Sequence, residues 1–311
     1  MSDQVQQPVS QVADDEIDLR ELFSALWQGK WIIIVTTFLF SVASVFYALS
    51  LPDIYKSEVT LAPVSEDSGL KIPGQLGGLA ALAGVNLGGM GGGDKTGLAL
   101  EILKSRDFIG RFIEQNDLYL PIMAANGWSR SEDKLLWDQK VYNEQTQQWV
   151  RKVKVPFQAK PSTLETIEEF KKLFSVSQDK TSGMVKLSIE HYSPLLAKSW
   201  ADSLVQAINE EMRTRELVEA ERSIAYLNQQ IAQTNLADVR TMLFSLIEEQ
   251  TKTLMLANVR EEYVFKTVDP AVVAEKKSKP ARALICILAA MLGFMLSALI
   301  VLVRYFSKKS K

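Results

Sequence analysis

The chain has 311 residues, with 35 Lys and Arg against 37 Asp and Glu, and a net charge of −2 at pH 7. That balance gives no basic surface for nucleic acid. A single cysteine rules out a disulfide within the chain, and a single histidine rules out a metal site built from several histidines.

Residues 1–30 form an acidic approach (Asp14, Asp15, Glu16, Asp18, Glu21) to the first of two apolar runs, Trp31 to Leu51. The second run is Ala283 to Val303, followed by a short tail at 304–311. Each run is about 20 residues without a charge, enough to cross a hydrocarbon core of about 30 Å as a helix. Backbone groups in that core must be paired within the segment, which selects helix. Ala48 and Ser50 could suggest a signal-peptide cleavage site. The run, however, is longer than an h-region of about 7–15 residues, and the segment before it is acidic rather than basic. It reads as an uncleaved anchor. Two crossings put both termini on one side and residues 52–282 on the other as a large polar head.

Just after the first anchor, Tyr55 to Leu61 alternates in hydropathy and is rich in β-branched residues, so it predicts a strand. Residues 74–97 hold ten of the sixteen glycines and predict a loop or weak helix that gains order only by packing. Leu98 to Asn116 carries a helical pattern. Leu173–Gln178 and Met184–Glu190 flank a turn in which Gly183 supplies positive φ, which predicts a hairpin. Ser193-Pro194 opens a long helix, about 194–234, as cap and first residue. Leu196, Trp200, Leu204, Ile208 and Met212 form its stripe. Its Glu- and Arg-dense part, Glu210 to Arg222, is expected to project from the core. A second helix is expected at about 239–260. Glu262 to Val268 reads as a last strand that pairs with the first, ended by Asp269-Pro270.

Motifs for chemistry are weak. Gly88 to Thr96 invites a phosphate-loop reading, but Asp94 stands where the motif requires glycine before its lysine. His191 sits at a strand end beside a helix cap with no positioned nucleophile, so it reads as structural. The Glu168/Glu169 and Glu248/Glu249 pairs read as solvated helix faces. No catalytic, cofactor-binding or metal-binding residues are expected. In the second anchor, Ala289, Gly293 and Ser297 fall at i, i+4 and i+8, a small-residue face suited to close helix contact, with Ser44 and Ala48 as a weaker counterpart in the first.

Charge does not orient the anchors. Arg20, Lys30, Arg304, Lys308, Lys309 and Lys311 lie on the terminal side, against Lys56, Lys276, Lys277, Lys279 and Arg282 on the head side.

Taken in order, several segments resemble the polysaccharide co-polymerases, the chain-length determinant (Wzz) family of bacterial inner-membrane proteins. These are Ile17 to Phe23 with Trp27 to Trp31, Leu51 to Tyr55, Gly77 to Gly84, Ala99 to Phe108, and the membrane-proximal Pro270 and Pro280 ahead of the Ala289/Gly293 face. The resemblance implies an α+β chain in which two transmembrane helices flank a periplasmic α/β base domain with a long extended helix and helical hairpin. It implies a ring-forming homo-oligomer that, without enzymatic activity of its own, sets the length of a lipid-carrier-linked glycan, such as O-antigen, made by a Wzy-type integral-membrane polymerase. Partners would be copies of itself, that polymerase, lipid-linked glycan and membrane lipid, with no nucleic acid and no cofactor. Glu211, Arg213, Arg215 and Glu219 would face neighbouring copies or the lumen. With only residues 304–311 after the second anchor, autokinase activity is not expected. The rival readings are an adaptor for a separate cytoplasmic tyrosine kinase or export apparatus, a membrane sensor, and a periplasmic hydrolase.

Overall fold

The computed structural model describes residues 25–64 and 93–309, in two compact units: residues 52–279, and the pair of chain ends that flank them. Most of the Gly-rich segment lies outside the described residues. Its last glycines, Gly93 and Gly97, are not loop but the beginning of a helix.

In the end unit, α1 (Lys30–Ser50) packs against the helix of Arg282–Lys309. Both have a window apolar enough to cross a membrane, and only 11% and 17% of those windows is buried. A core helix of a soluble protein would be covered on most of its face; these two are covered only along one seam. The second helix runs past Val303, where the apolar run ends, because nothing in Arg304 to Lys309 breaks a helix.

The head is built on a four-stranded antiparallel sheet, β1 (Tyr55–Pro63), β6 (Phe174–Gln178), β7 (Val185–His191) and β8 (Phe265–Asp269), in the order β6-β7-β1-β8. The expected pairing of first and last strands is present, from Leu61 opposite Thr267 to Pro63 opposite Phe265, with a bulge between Thr60 and Leu61. On β1, Ser57, Val59 and Leu61 point inward, and on β7 so do Val185, Leu187 and Ile189, the period-two burial of a sheet. Their register is fixed by Val59 opposite Leu187 and Leu61 opposite Val185. A one-residue slip would turn all of these outward. The β6–β7 hairpin turns at Asp179, whose carboxylate accepts from Thr181 and Ser182 N–H at 2.8 Å, and at Gly183 with φ of +71°.

Helices cover the inner face. α2 (Gly93–Lys104) and α3 (Arg106–Gln115) replace the single helix expected over 98–116. Ser105 is extended, and its hydroxyl caps the second helix by accepting from Phe108 N–H at 3.2 Å. After the short α4 (Tyr119–Met123) come two ribbons, β2 (Ala125–Ser129) with β3 (Lys134–Trp137) and β4 (Tyr142–Asn143) with β5 (Gln148–Trp149). α5 (Thr163–Leu173) starts with a capping box between Ser162 and Glu165. Arg151 ties the intervening loop to that box through Ala159 O, Gln158 O and Glu165 at 2.8–2.9 Å. The arginine holds the Glu165 carboxyl below the usual range.

The long α6 (Pro194–Gln233) has the expected cap, Ser193, and buries Ala197, Trp200, Ala201, Leu204 and Ile208 against the sheet. Each fully buried aliphatic side chain of this kind contributes about 1.5–3 kcal/mol. α7 (Ala237–Val259) returns along α6, and α8 is the membrane-type helix Arg282–Lys309. Within this core Asn209 is buried. Its amide donates to Phe265 O at 3.0 Å, and its oxygen accepts from Val264 and Phe265 N–H at 2.8 and 2.9 Å. One side chain thus satisfies three backbone groups at the start of β8.

Candidate functional site

Three places could carry function. The first is the seam of α1 and α8. Gly293 and Ser297 are buried and Ala289 is half-buried, on one face of α8. A Cβ added at Gly293 would lie 2.8 Å from Phe40 Cβ and 3.0 Å from Phe40 Cγ, so the helices touch where only hydrogen fits. On α1 the buried residues are Ser44 and Ala48. The face extends one turn further than the small-residue spacing suggested: Val301 is buried against Gly29, and the space for a Cβ there is occupied by the Val301 side chain. The seam hydroxyls of Ser44 and Ser297 return to their own helices, to Ser41 O at 2.7 Å and Phe294 O at 2.8 Å, whereas the buried Thr37 hydroxyl on α1 has no partner. At the other end of the pair, Arg282 donates to Ala48 O at 2.9 Å and Leu51 O at 3.2 Å. A cation there pairs carbonyls that the C-terminal turn of α1 leaves open.

The second place is the charged part of α6. Its start stays on the core, which ends at Met212 with Leu217 packed against it, and most of its other residues are exposed, as its polarity predicted. Met212 and Ala220 are buried, and Glu211 is mostly covered. The reason is Arg111 on α3, whose guanidinium donates to Glu211 at 2.9 Å and to Asp107 at 3.0 Å. Arg215 adds a second bond to Glu211 at 2.6 Å, and Arg213 pairs with Glu210. Arg111 and then Arg215 hold the Glu211 carboxyl below its ordinary range, and Glu211 pushes Arg111 upward. Lys95 reaches Glu216 at 3.2 Å. Glu219 is exposed. Beside this network a cleft of about 640 Å³ is lined by Gln115, Asn116, Gln206, Glu210, Arg213 and Glu262. The Arg213 Nε at its wall is buried with no hydrogen-bond partner.

The third is the segment from Pro270 to Pro280. Pro270 is exposed and stops β8; Pro280 is half-buried. Between them Ser57 donates to Val272 O at 2.8 Å, and Ile54 bridges Lys279 by Ile54 N–H to Lys279 O at 2.9 Å. Lys277 pairs with Asp53 at 3.0 Å and Lys279 with Glu190 at 2.6 Å. Two of the lysines that weigh against a simple orientation by charge are thus paired with carboxylates of the head.

His191 is buried, with Ser193 N–H donating to Nδ1 at 3.1 Å. Nε2 therefore carries the proton and donates to Pro121 O at 3.1 Å. The ring packs on Trp200 at 4.8 Å, and burial pushes its pKa below the ordinary value. It is a neutral structural strut, with both nitrogens occupied. Among the described residues no group of His, Cys, Asp and Glu could hold a metal.

What these features define is a two-anchor membrane protein with an α+β head whose distinctive groups serve packing and charge pairing. Residues 15–116 match the family model "Chain length determinant protein" (Wzz), and residues 229–306 match "G-rich domain on putative tyrosine kinase" (GNVR). The first match runs from before α1 through α3 and the second from the end of α6 into α8, in agreement with the family resemblance read from the sequence. The two helices of membrane-crossing length and the chain-length determinant match together point to an inner-membrane protein. A solved "full-length bacterial polysaccharide co-polymerase" is similar at 15% identity, with a TM-score of 0.38, over 94% of this chain and 99% of that one. No curated protein matches the chain.

Sequence reasoning missed Asn209, Arg111 and the ribbon aromatics Trp128, Trp137, Tyr142 and Trp149. A polar residue interrupting the apolar stripe between Leu204 and Met212 could have flagged Asn209. Four large rings in an otherwise polar stretch could have flagged the ribbons.

Proposed function

We propose that this protein regulates the chain length of a surface glycan, O-antigen or a relative, assembled on a lipid carrier by a separate integral-membrane polymerase. It acts as a non-enzymatic co-polymerase, a homo-oligomer with its head in the periplasm and both termini in the cytoplasm. The observation that carries this reading is the chain-length determinant match over residues 15–116, which begins before α1 and runs through α3 of the head.

The test is deletion followed by gel analysis of surface glycan length. Loss of the modal length with unchanged glycan composition supports the reading, and an unchanged distribution refutes it. Reporter fusions after Lys30 and Lys311 should read as cytoplasmic and one near Gly127 as periplasmic; a cytoplasmic head would remove the length-control reading.

A second reading has its own observation, the match of residues 229–306 to a domain described on a tyrosine kinase. In that case the chain would be the membrane partner of a separate kinase or export apparatus. A kinase that co-purifies with this chain, and whose deletion reproduces the glycan phenotype, would favour it.

A further inference from the structure

We propose that the cleft between the β2–β3 ribbon and the start of α6 is a saccharide-binding subsite, with Trp128 and Tyr55 as its ring wall and Arg130 and Glu275 as its hydroxyl-reading groups. The inference rests on the length-control reading for the identity of the glycan. The cleft measures about 510 Å³, and Tyr55, Trp128, Arg130, Asp133, Leu195 and Glu275 are among its lining residues. Small-molecule sites span roughly 300–1,000 Å³.

A pyranose ring presents a face of C–H bonds and a rim of hydroxyls. Its recognition needs a flat apolar surface beside planar groups able to make paired hydrogen bonds. Trp128 supplies the surface. Its indole N–H donates to Asp133 Oδ1 at 2.9 Å, and Tyr55 meets it at 5.7 Å with the rings at 80°. These contacts set the ring plane before a ligand arrives, so less ordering is needed on binding. Arg130 and Glu275 are exposed and form no ion pair or hydrogen bond among the described residues. The guanidinium offers paired donors and the carboxylate paired acceptors, which together can read adjacent hydroxyls. With Asp133 and Glu275 against Arg130, the lining is net acidic. It suits a neutral or amino sugar better than a phosphate.

The bland alternative is that Trp128 only pins a ribbon too small to stand alone. The ribbon closes on itself without Trp128, its ladder continuing past Ala125 and Trp137 to Asp138 N–H and Ala124 O at 2.8 Å. Trp137 at the end of β3 packs on Tyr142 of the second ribbon at 6.4 Å and Tyr142 on Trp149 at 5.4 Å, and none of the three lines this cleft. Trp128 and Arg130 lie between the two family matches, while Tyr55 and Glu275 lie within them, so the ribbon brings its own residues to a cleft that the matched segments complete.

The test uses the full chain in detergent and oligosaccharides released by mild acid from the surface glycan of the cells that make it, with binding read by saturation-transfer NMR. Wild type should bind. Trp128→Ala should weaken binding about tenfold or more, and Arg130→Ala and Glu275→Gln about fivefold each. Trp128→Phe keeps a ring and should retain part of the affinity, which separates stacking from misfolding. Trp149→Phe, off the cleft, should bind as wild type does. No binding by wild type, or binding indifferent to Arg130→Ala and Glu275→Gln, overturns the subsite. If deletion of the gene alters glycan length while no oligosaccharide binds, the subsite fails and length control stands. If oligosaccharides bind at the cleft while deletion leaves length unchanged, length control fails and the subsite stands.

Discussion

Replacing Gly293 by alanine and then by leucine asks how much room the membrane pair has. A Cβ at 293 would sit 2.8 Å from Phe40 Cβ and 3.0 Å from Phe40 Cγ, whereas carbon atoms rest at about 3.5–4.0 Å. Rotating Phe40 about χ1 moves its ring but not its Cβ, so the helices themselves must part by roughly 1 Å. A gap of that size forfeits about a quarter to a half of each atom-pair attraction along the seam. Together with local strain this gives about 1–3 kcal/mol for Gly293→Ala and more for Gly293→Leu, the cost typical of overpacking. At about 1.4 kcal/mol per tenfold, the close-packed population should fall at least severalfold. Insertion should not suffer, since leucine is favourable in a membrane helix. Spin labels at the exposed positions Val35 and Met295, in a Cys286→Ala background, report the interhelix distance in the full chain. The distribution should widen with Gly293→Ala and further with Gly293→Leu, and the glycan should lose its modal length. Phe294→Leu, at an exposed position, is the control. An unchanged distribution in Gly293→Leu together with a widened one in Phe294→Leu would refute the assigned face.

Three further outcomes are expected. Asn209→Ala strands two N–H groups and one carbonyl beneath β8 and should cost about 3 kcal/mol or more in denaturant unfolding, whereas Asn209→Asp, which keeps the acceptor, should cost less. Because burial lowers the His191 pKa in the folded state, folding binds fewer protons than unfolding. Stability is then full above the ordinary value of about 6.5 and declines as pH falls from there toward the lowered folded pKa; His191→Gln should flatten that decline. Glu211→Gln loosens partly exposed ion pairs and should change stability by only about 0–1 kcal/mol, while Glu211→Arg, which places three arginines together, should shift glycan length without preventing folding.

The anchors, the hairpin at Gly183, the capped long helix and the pairing of first and last strands were all legible in the sequence. Each is a local signal: an uncharged run of membrane length, a turn residue, a cap, a period of two or four. The break between α2 and α3 was legible too, had the gap from Ile102 to Phe108 been weighed against Ser105 as a cap. The small-residue spacing at Ala289, Gly293 and Ser297 identified a face, but not that Phe40 lies on it or that Gly29 and Val301 extend it. What only the tertiary structure decided concerns groups that meet across long stretches of chain. Arg111 turns Glu211 inward from a helix whose own composition is that of a solvated face. Asn209 reads the backbone of a strand 55 residues later. Arg282 caps a helix more than 200 residues before it. Local composition sets what a segment can form. Which charge is buried and which stays free depends on the partner that the fold brings alongside, and no window of sequence contains that partner.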